Sequence, residues 1–403
     1  EELIMKNKLK EKLKYFDYGL FIPYLILCLI GIVMVYSASA INLTYVGVKA
    51  TSYLFKQIIF VGIGITLTLI FSHMNPKFWV GKNVLRFGYW TVIILLMMAK
   101  FLFSAINGAN GWITLGSFSI QPAEIAKLYL IVAISKAFSK READIYLGKH
   151  KRTTTRKNLA VNILPILGLI AIEPDTGGAT ICAAICLVLI LANSKNWRAS
   201  IGILGVAISI IALTVMAIHA INPFKGSKVE YMYKRFEGYF DPFTYATTSG
   251  KQLVNSFYAI SNGGLFGVGL GNSIQKRGYL PEPYTDFILA IIAEELGFIG
   301  VLVVLGLLFF IILRIILIGI RSNNTFNTLV CYGVATFFTV ESIFNIGAVN
   351  GLLPITGVTL PFISYGGSSM VVLSMALGMV MNISANEKRH TARNMFLNME
   401  LKK

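Results

Sequence analysis

Asp286 stands where a polar segment, RGYLPEPYTD at 277–286, runs into the long apolar stretch FILAIIAEELGFIGVLVVLGLLFFIIL. Glu294 and Glu295 follow about two helical turns further in. Charge at or inside a bilayer is costly, and residues that carry it generally face a cavity or a partner and mark function. A carboxylate within hydrogen-bond reach of a hydroxyl can take its proton as a general base. The structural alternative is that Asp286 is a helix-start residue favoured by the macrodipole and by capping. Glu124 and Lys127 open another apolar run and lie three residues apart, on one helix face. They can form an ion pair that lets both charges enter the membrane together, or Lys127 can meet an anionic ligand directly.

These residues need a scaffold, and the composition says which kind. Of 403 residues, 55% are hydrophobic and only 14% charged, against about a quarter charged in a soluble domain. The apolar runs are continuous, without the period-two alternation of a barrel, so helices are expected. Spans of about 20 apolar residues can be placed at 17–38, 54–73, 87–106, 121–139, 159–175, 177–193, 200–220, 286–313, 327–349 and 366–385. The fold class is therefore an all-α polytopic membrane protein of about ten transmembrane helices. Its single membrane domain is expected over 17–385, between basic tails at 1–16 and 386–403.

Lys and Arg concentrate in the N-terminal tail, in the segment 140–157 and in the C-terminal tail. By the positive-inside trend all three lie in the cytoplasm, which an even number of spans allows. The net charge of +17 then reflects topology and anionic lipid rather than nucleic acid, for which no soluble basic domain is present. No cleavable signal is expected, because the first apolar stretch is a full span without a small-residue cleavage site.

Residues 221–285 form a 65-residue extracellular loop between the seventh and eighth spans. It is rich in aromatic residues and glycine, and short amphipathic helices are expected within 229–262. Its cations, Lys276 and Arg277 among them, oppose the positive-inside trend; either long loops escape that rule or an anionic ligand is met there. GVGLGNS looks like a dinucleotide fingerprint, but no strand precedes it and no βαβ unit surrounds it. Four polar clusters, at 107–127, 173–178, 250–286 and 350–369, converge on the outer face and define the candidate site. Cys28, Cys182, Cys186 and Cys331 fall in spans and read as small apolar residues. His73, His150, His219 and His390 are scattered, so no metal site is readable.

The motifs resemble those of the SEDS family, the FtsW/RodA peptidoglycan glycosyltransferases, over nearly the whole chain. The matching segments are WITLGSFSIQPAEIAK, EPDTGGA, NGGLFGVGLGNSIQKRGYLPEPYTDFILAIIAEELG and GLLPITGVTLPFISYGGSS, in that order. GNS and KRGYLPEPYTDF look more like the cell-division FtsW branch than the elongation RodA branch. Asn110-Gly111 stands where the family often has Arg-Arg, and Glu173 where it has Gln.

The resemblance implies polymerisation of lipid II at the outer face of the bacterial cytoplasmic membrane, at the division septum, with undecaprenyl pyrophosphate as leaving group. Asp286 matches the family's catalytic aspartate. Lys127, with Glu124 beside it, and Lys276 and Arg277 are the candidates for steadying the pyrophosphate; Ser364 and Ser368 of SYGGSS complete the substrate-binding set. Glu294 and Glu295 are expected to orient spans rather than react. No cofactor is implied beyond a divalent cation that could bridge pyrophosphate and a carboxylate. The implied partners are a class B penicillin-binding protein transpeptidase and divisome membrane proteins. The rival reading is a flippase for lipid-linked precursor, which the polar cavity residues and Glu341 would suit. Against it stand the outward clustering of the motifs and the lack of an inverted repeat.

Overall fold

A computed structural model describes residues 14–103, 111–116, 118–148, 152–194, 198–206 and 230–400, with single positions 209, 213 and 216. Its longer helices are α1 (Tyr18–Tyr45), α2 (Ser52–His73), α3 (Lys82–Leu102), α4 (Pro122–Tyr146), α5 (Arg152–Ile172), α6 (Thr176–Ala192), α7 (Glu230–Phe240), α8 (Lys251–Gly263), α9 (Ile288–Arg321), α10 (Thr325–Val349) and α11 (Gly367–Glu400). Strands β1 (Ile113–Leu115) and β2 (Phe118–Ile120) form a small antiparallel hairpin just before α4.

Among the described residues, six helices are long and apolar enough to cross a membrane: α1, α2, α3, α9, α10 and the Gly367–Asn394 part of α11. The expected spans at 159–175 and 177–193 are shorter apolar helices, Leu159–Ile172 and Thr176–Ala192. The expected span at 121–139 is α4, whose 25 residues end in a charged segment. The expected span at 200–220 lies largely outside the described residues, as do most of the tail at 1–16 and the basic positions 149–151. The tail expected from 386 is a continuation of α11 without a break. The amphipathic helices expected in 229–262 are α7 and α8.

Small residues let the helices approach closely. A Cβ on Gly378 would sit 2.6 Å from the Thr68 carbonyl oxygen, so α11 and α2 meet backbone to backbone. The Tyr24 hydroxyl joins α1 to this pair through Ser374, at 2.9 Å. At the other end of these helices from Asp286, Asp17 gathers Arg314 (2.6 Å), Lys388 (3.2 Å) and the Ser384 hydroxyl. Phe337 and Phe338 of α10 are fully buried, and this helix packs against α4, α6 and α9.

Helix α9 differs from the expected 286–313. It begins after Asp286 and breaks at Gly297, whose φ is 69°. The break would leave backbone groups unpaired in an apolar setting. The glycine-rich segment after α8 fills it. Val268 and Gly269 donate to the carbonyls of Glu294 and Glu295 at 2.9 and 3.0 Å, and Phe298 and Ile299 donate to Gly264 and Leu265 at 2.9 and 3.2 Å. Gly267 (φ 78°) lies so near that a Cβ would be 2.2 Å from the Glu295 carbonyl oxygen. The glycines are there because only they permit this close approach and left-handed backbone.

Candidate active site

Asp286 occupies the turn between the PEP segment and α9, not the first turn of the helix. Its side chain is buried, and the Thr285 hydroxyl donates to Oδ1 at 3.0 Å. Asn345 of α10, itself buried, donates from Nδ2 to the Asp286 carbonyl oxygen at 2.8 Å and to the Val358 carbonyl oxygen at 2.9 Å. Burial pushes the Asp286 carboxyl up to about 6; the Thr285 hydrogen bond opposes this, Glu282 adds to it, and the Arg235 guanidinium lowers it. At neutral pH this carboxylate is ionised and a stronger base than an exposed one, as base catalysis requires.

A cavity of about 180 Å³ is lined by Trp112 and Gln121 at the entry to α4, Lys127, Asp175, Arg235 of α7, and Thr359 and Ser368 from the segment joining α10 to α11, among others. Three of the four polar clusters expected to converge, and α7 through Arg235, therefore meet in one place. Asp175 caps α6 by accepting from Gly178 N at 2.8 Å, and its other oxygen accepts from Gln121 Nε2 at 2.8 Å. Gln121 N donates to Ser368 Oγ at 3.3 Å. Asp286 does not line this cavity, but Asn345 ties its backbone to Val358, which does.

Lys127 is buried between two carboxylates, Glu124 at 2.7 Å and Glu341 at 2.6 Å, with its ammonium 4.9 Å from the centre of the Phe337 ring. The expected Glu124–Lys127 pair is present, and Glu341 of α10 joins it as a third member. Glu124 Oε2 and Glu341 Oε2 are buried with no hydrogen-bond partner. Two carboxylates around one ammonium make this wall of the cavity short of positive charge, not rich in it.

Lys276 is also buried, paired with Glu295 at 2.6 Å and with Ser37 Oγ at 2.9 Å. An ammonium in an apolar interior must be neutralised, and this pair does that; Lys276 does not line the 180 Å³ cavity. Arg277 is exposed and also outside its lining. Glu294 accepts from Asn262 Nδ2 at 2.9 Å, from Ile274 N at 3.0 Å and from the Ser273 hydroxyl, holding the segment 262–275 on α9. Ser364 is spent locally, accepting from Leu360 N at 2.8 Å. Glu173 is fully buried with both oxygens unpartnered. Burial, then the neighbouring Asp175, push its carboxyl up to about 8, against a smaller lowering by Lys100.

Gln121 and Asp175 lie in the polar clusters expected at 107–127 and 173–178 and Arg235 among the loop cations, but the sequence reading assigned none of them a role, and it did not single out Asn345. Arg235 is one of many loop cations until α7 is placed over the cavity, and Asn345 is an isolated amide in an apolar helix. Among the described residues no group of three or more His, Cys, Asp or Glu could hold a metal ion.

Residues 18–389 match the model of the cell cycle protein family of FtsW, RodA and SpoVE. The chain is 40% identical over 380 residues to the probable peptidoglycan glycosyltransferase FtsW of Bacillus subtilis, covering 93% of this chain and 92% of that protein. It is 37% identical to the protein of the same description from Lactococcus lactis, covering 94% of each. It is 35% identical to stage V sporulation protein E of Bacillus subtilis, covering 91% of this chain and 96% of that one. Among solved structures it resembles a chain of a peptidoglycan synthase complex, described as coordinating polymerization and crosslinking, with a TM-score of 0.70 and 24% identity over 92% of this chain and 98% of that one. It also resembles the rod shape determining protein RodA of Thermus thermophilus, with a TM-score of 0.65 and 24% identity over 92% and 97%. Taken with the ordered motifs around Asp286, these matches show that the chain belongs to the FtsW/RodA/SpoVE family of cell cycle proteins.

Proposed function

We propose that this protein is a multi-pass membrane peptidoglycan glycosyltransferase that polymerises lipid II, with Asp286 as general base. The observation that carries the reading is the buried Asp286 carboxyl, raised to about 6, tied through Asn345 to the wall of a polar cavity that Arg235 lines.

In the reaction the acceptor's 4-hydroxyl oxygen attacks C1 of the donor sugar. The C1–O bond to undecaprenyl pyrophosphate breaks, and the hydroxyl proton passes to Asp286. One attack from the face opposite the leaving group inverts C1. The leaving group departs as an anion without an acid, so a second carboxylate of the glycosidase kind is not needed. Arg235 is the cavity guanidinium placed to receive that anion, in the bidentate manner guanidinium groups favour. Lys127 contributes from the cavity wall, its charge shared with Glu124 and Glu341. Lys276 serves by fastening the outer loop to α9.

The chain sits in the cytoplasmic membrane with both ends in the cytoplasm and the 221–285 loop outside. It works at the division septum with other divisome membrane proteins and beside a class B penicillin-binding protein transpeptidase that crosslinks its product. The relatives described as FtsW favour division over elongation. Purified protein supplied with lipid II is expected to yield glycan strands, and more of them with its cognate transpeptidase present. Movement of lipid II across a vesicle membrane without any glycan product would instead establish the flippase.

A further inference from the structure

Tyr53 from the first turn of α2, Tyr284 from the turn before Asp286, and Tyr365 from SYGG meet in one cluster. Tyr53 and Tyr365 stack with ring centres 4.6 Å apart and planes at 12°. Tyr284 meets Tyr53 edge-on at 5.0 Å and Tyr365 at 6.1 Å. Tyr365 N donates to the Tyr284 carbonyl oxygen at 2.8 Å, which fixes the cluster to the backbone two residues from Asp286. All three side chains are only partly buried. The Lys56 ammonium stands 5.5 Å from the centre of the Tyr53 ring.

We propose that this tyrosine cluster is a carbohydrate-stacking subsite that holds the acceptor pyranose ring beside Asp286. The inference rests on the glycosyltransferase reading and adds a place for the second substrate. Sugar transfer needs two rings at once, one presenting C1 and one presenting a hydroxyl to the base. The donor brings a pyrophosphate, which the polar cavity can hold. The acceptor lipid II has a pyrophosphate too, but it is attached to the other sugar of its disaccharide, so the ring that bears the attacking hydroxyl must be oriented by shape. One face of a pyranose is a patch of C–H bonds, which rests on the electron-rich face of an aromatic ring. Its rim of hydroxyls can bond tyrosine O–H groups. Tyrosine gives such contact area at small cost in side-chain entropy. An interfacial aromatic belt accounts for single aromatics at helix ends. It does not require three rings from distant segments joined by a backbone hydrogen bond to the Asp286 turn.

The test uses full-length Asp286→Asn protein, which isolates binding from turnover. The probe is a soluble N-acetylated amino-sugar disaccharide lacking the pyrophosphate and lipid, read by saturation-transfer NMR. Binding is expected, with Tyr53→Leu and Tyr365→Leu each weakening it about tenfold, and with Tyr365→Phe close to the parent. Without any tyrosine change, saturation placed on tyrosine ring protons should pass to the C–H face of the sugar, so the result does not depend on the leucine variants folding. No binding, no transfer from the rings, or equal affinity in folded leucine variants would overturn the subsite. Wild-type protein is run in parallel with lipid II. Glycan formation there, with disaccharide binding indifferent to the tyrosines, refutes the subsite alone. Absence of glycan overturns the glycosyltransferase reading and the acceptor role together.

Discussion

Asn345 and Asp286 are joined by a hydrogen bond of 2.8 Å from the amide of one to the backbone carbonyl of the other, and the same amide reaches Val358 at 2.9 Å. One buried side chain thereby ties the backbone that carries the carboxylate to the cavity wall. Such positioning is worth a large part of a rate enhancement, and an error of about 1 Å can cost about 10²-fold.

Asn345→Ala should therefore lower kcat for lipid II polymerisation by about 10²-fold, with a smaller change in KM. The acid limb of the pH–rate profile should move as well, because Asp286 would sit differently in its pocket. Rates measured against lipid II concentration at several pH values check this. A variant with wild-type kcat and an unmoved profile would show that the amide is only structural.

Lys276→Met should leave Glu295 buried and unpaired, a defect that typically costs about 3–5 kcal/mol. The expected result is loss of monodisperse protein after detergent extraction. Lys276→Met combined with Glu295→Gln removes both charges and should restore much of the yield and of the activity, because neither charge is then left unpaired. Arg277→Ala, at an exposed position, should fold normally, with stability within about 0.5 kcal/mol of wild type. A folded but inactive double variant would return Lys276 to the substrate.

Lys127→Met should be worse for folding than a single broken pair, since it strands Glu124 and Glu341 together. Adding Glu341→Gln removes one of the two stranded charges and should recover part of the folded protein. Activity should stay low, because Lys127 also faces the cavity. Thermal denaturation and polymerisation assays on the same preparations separate the two effects. Full recovery of both in the double variant would confine Lys127 to a structural role.

How much of this was legible depends on the range of each interaction. The apolar runs marked α1, α2, α3, α9, α10 and α11, because hydrophobicity along the chain is a local signal. The Glu124–Lys127 pair was legible for the same reason, at three residues' separation. Its third member, Glu341, lies 214 residues away, and only the packing of α10 on α4 brings it in. Lys276 looked like a substrate cation because its partner, Glu295, is reachable only once the glycine segment folds against the break at Gly297. Arg235 was one cation among many in its loop, and Asn345 was silent in the sequence, for a related reason. One depends on where α7 packs against the cavity, and the other on which face of α10 meets the Asp286 turn. The seventh apolar run, 200–220, falls largely outside the described residues.

The role of Asp286 is addressed most immediately by polymerisation of purified lipid II by the wild-type and Asp286→Asn proteins across pH 5 to 8. A general base must be deprotonated to act, and the folded carboxyl titrates at about 6. Wild-type kcat/KM should therefore rise with pH through that value and level off above it. Asp286→Asn keeps the size of the side chain but cannot take the proton. It should insert and fold normally and polymerise about 10²–10⁴-fold more slowly, with no limb near pH 6. An Asp286→Asn protein that polymerises lipid II at the wild-type rate, with the acid limb intact, would contradict the assignment of Asp286 as the base.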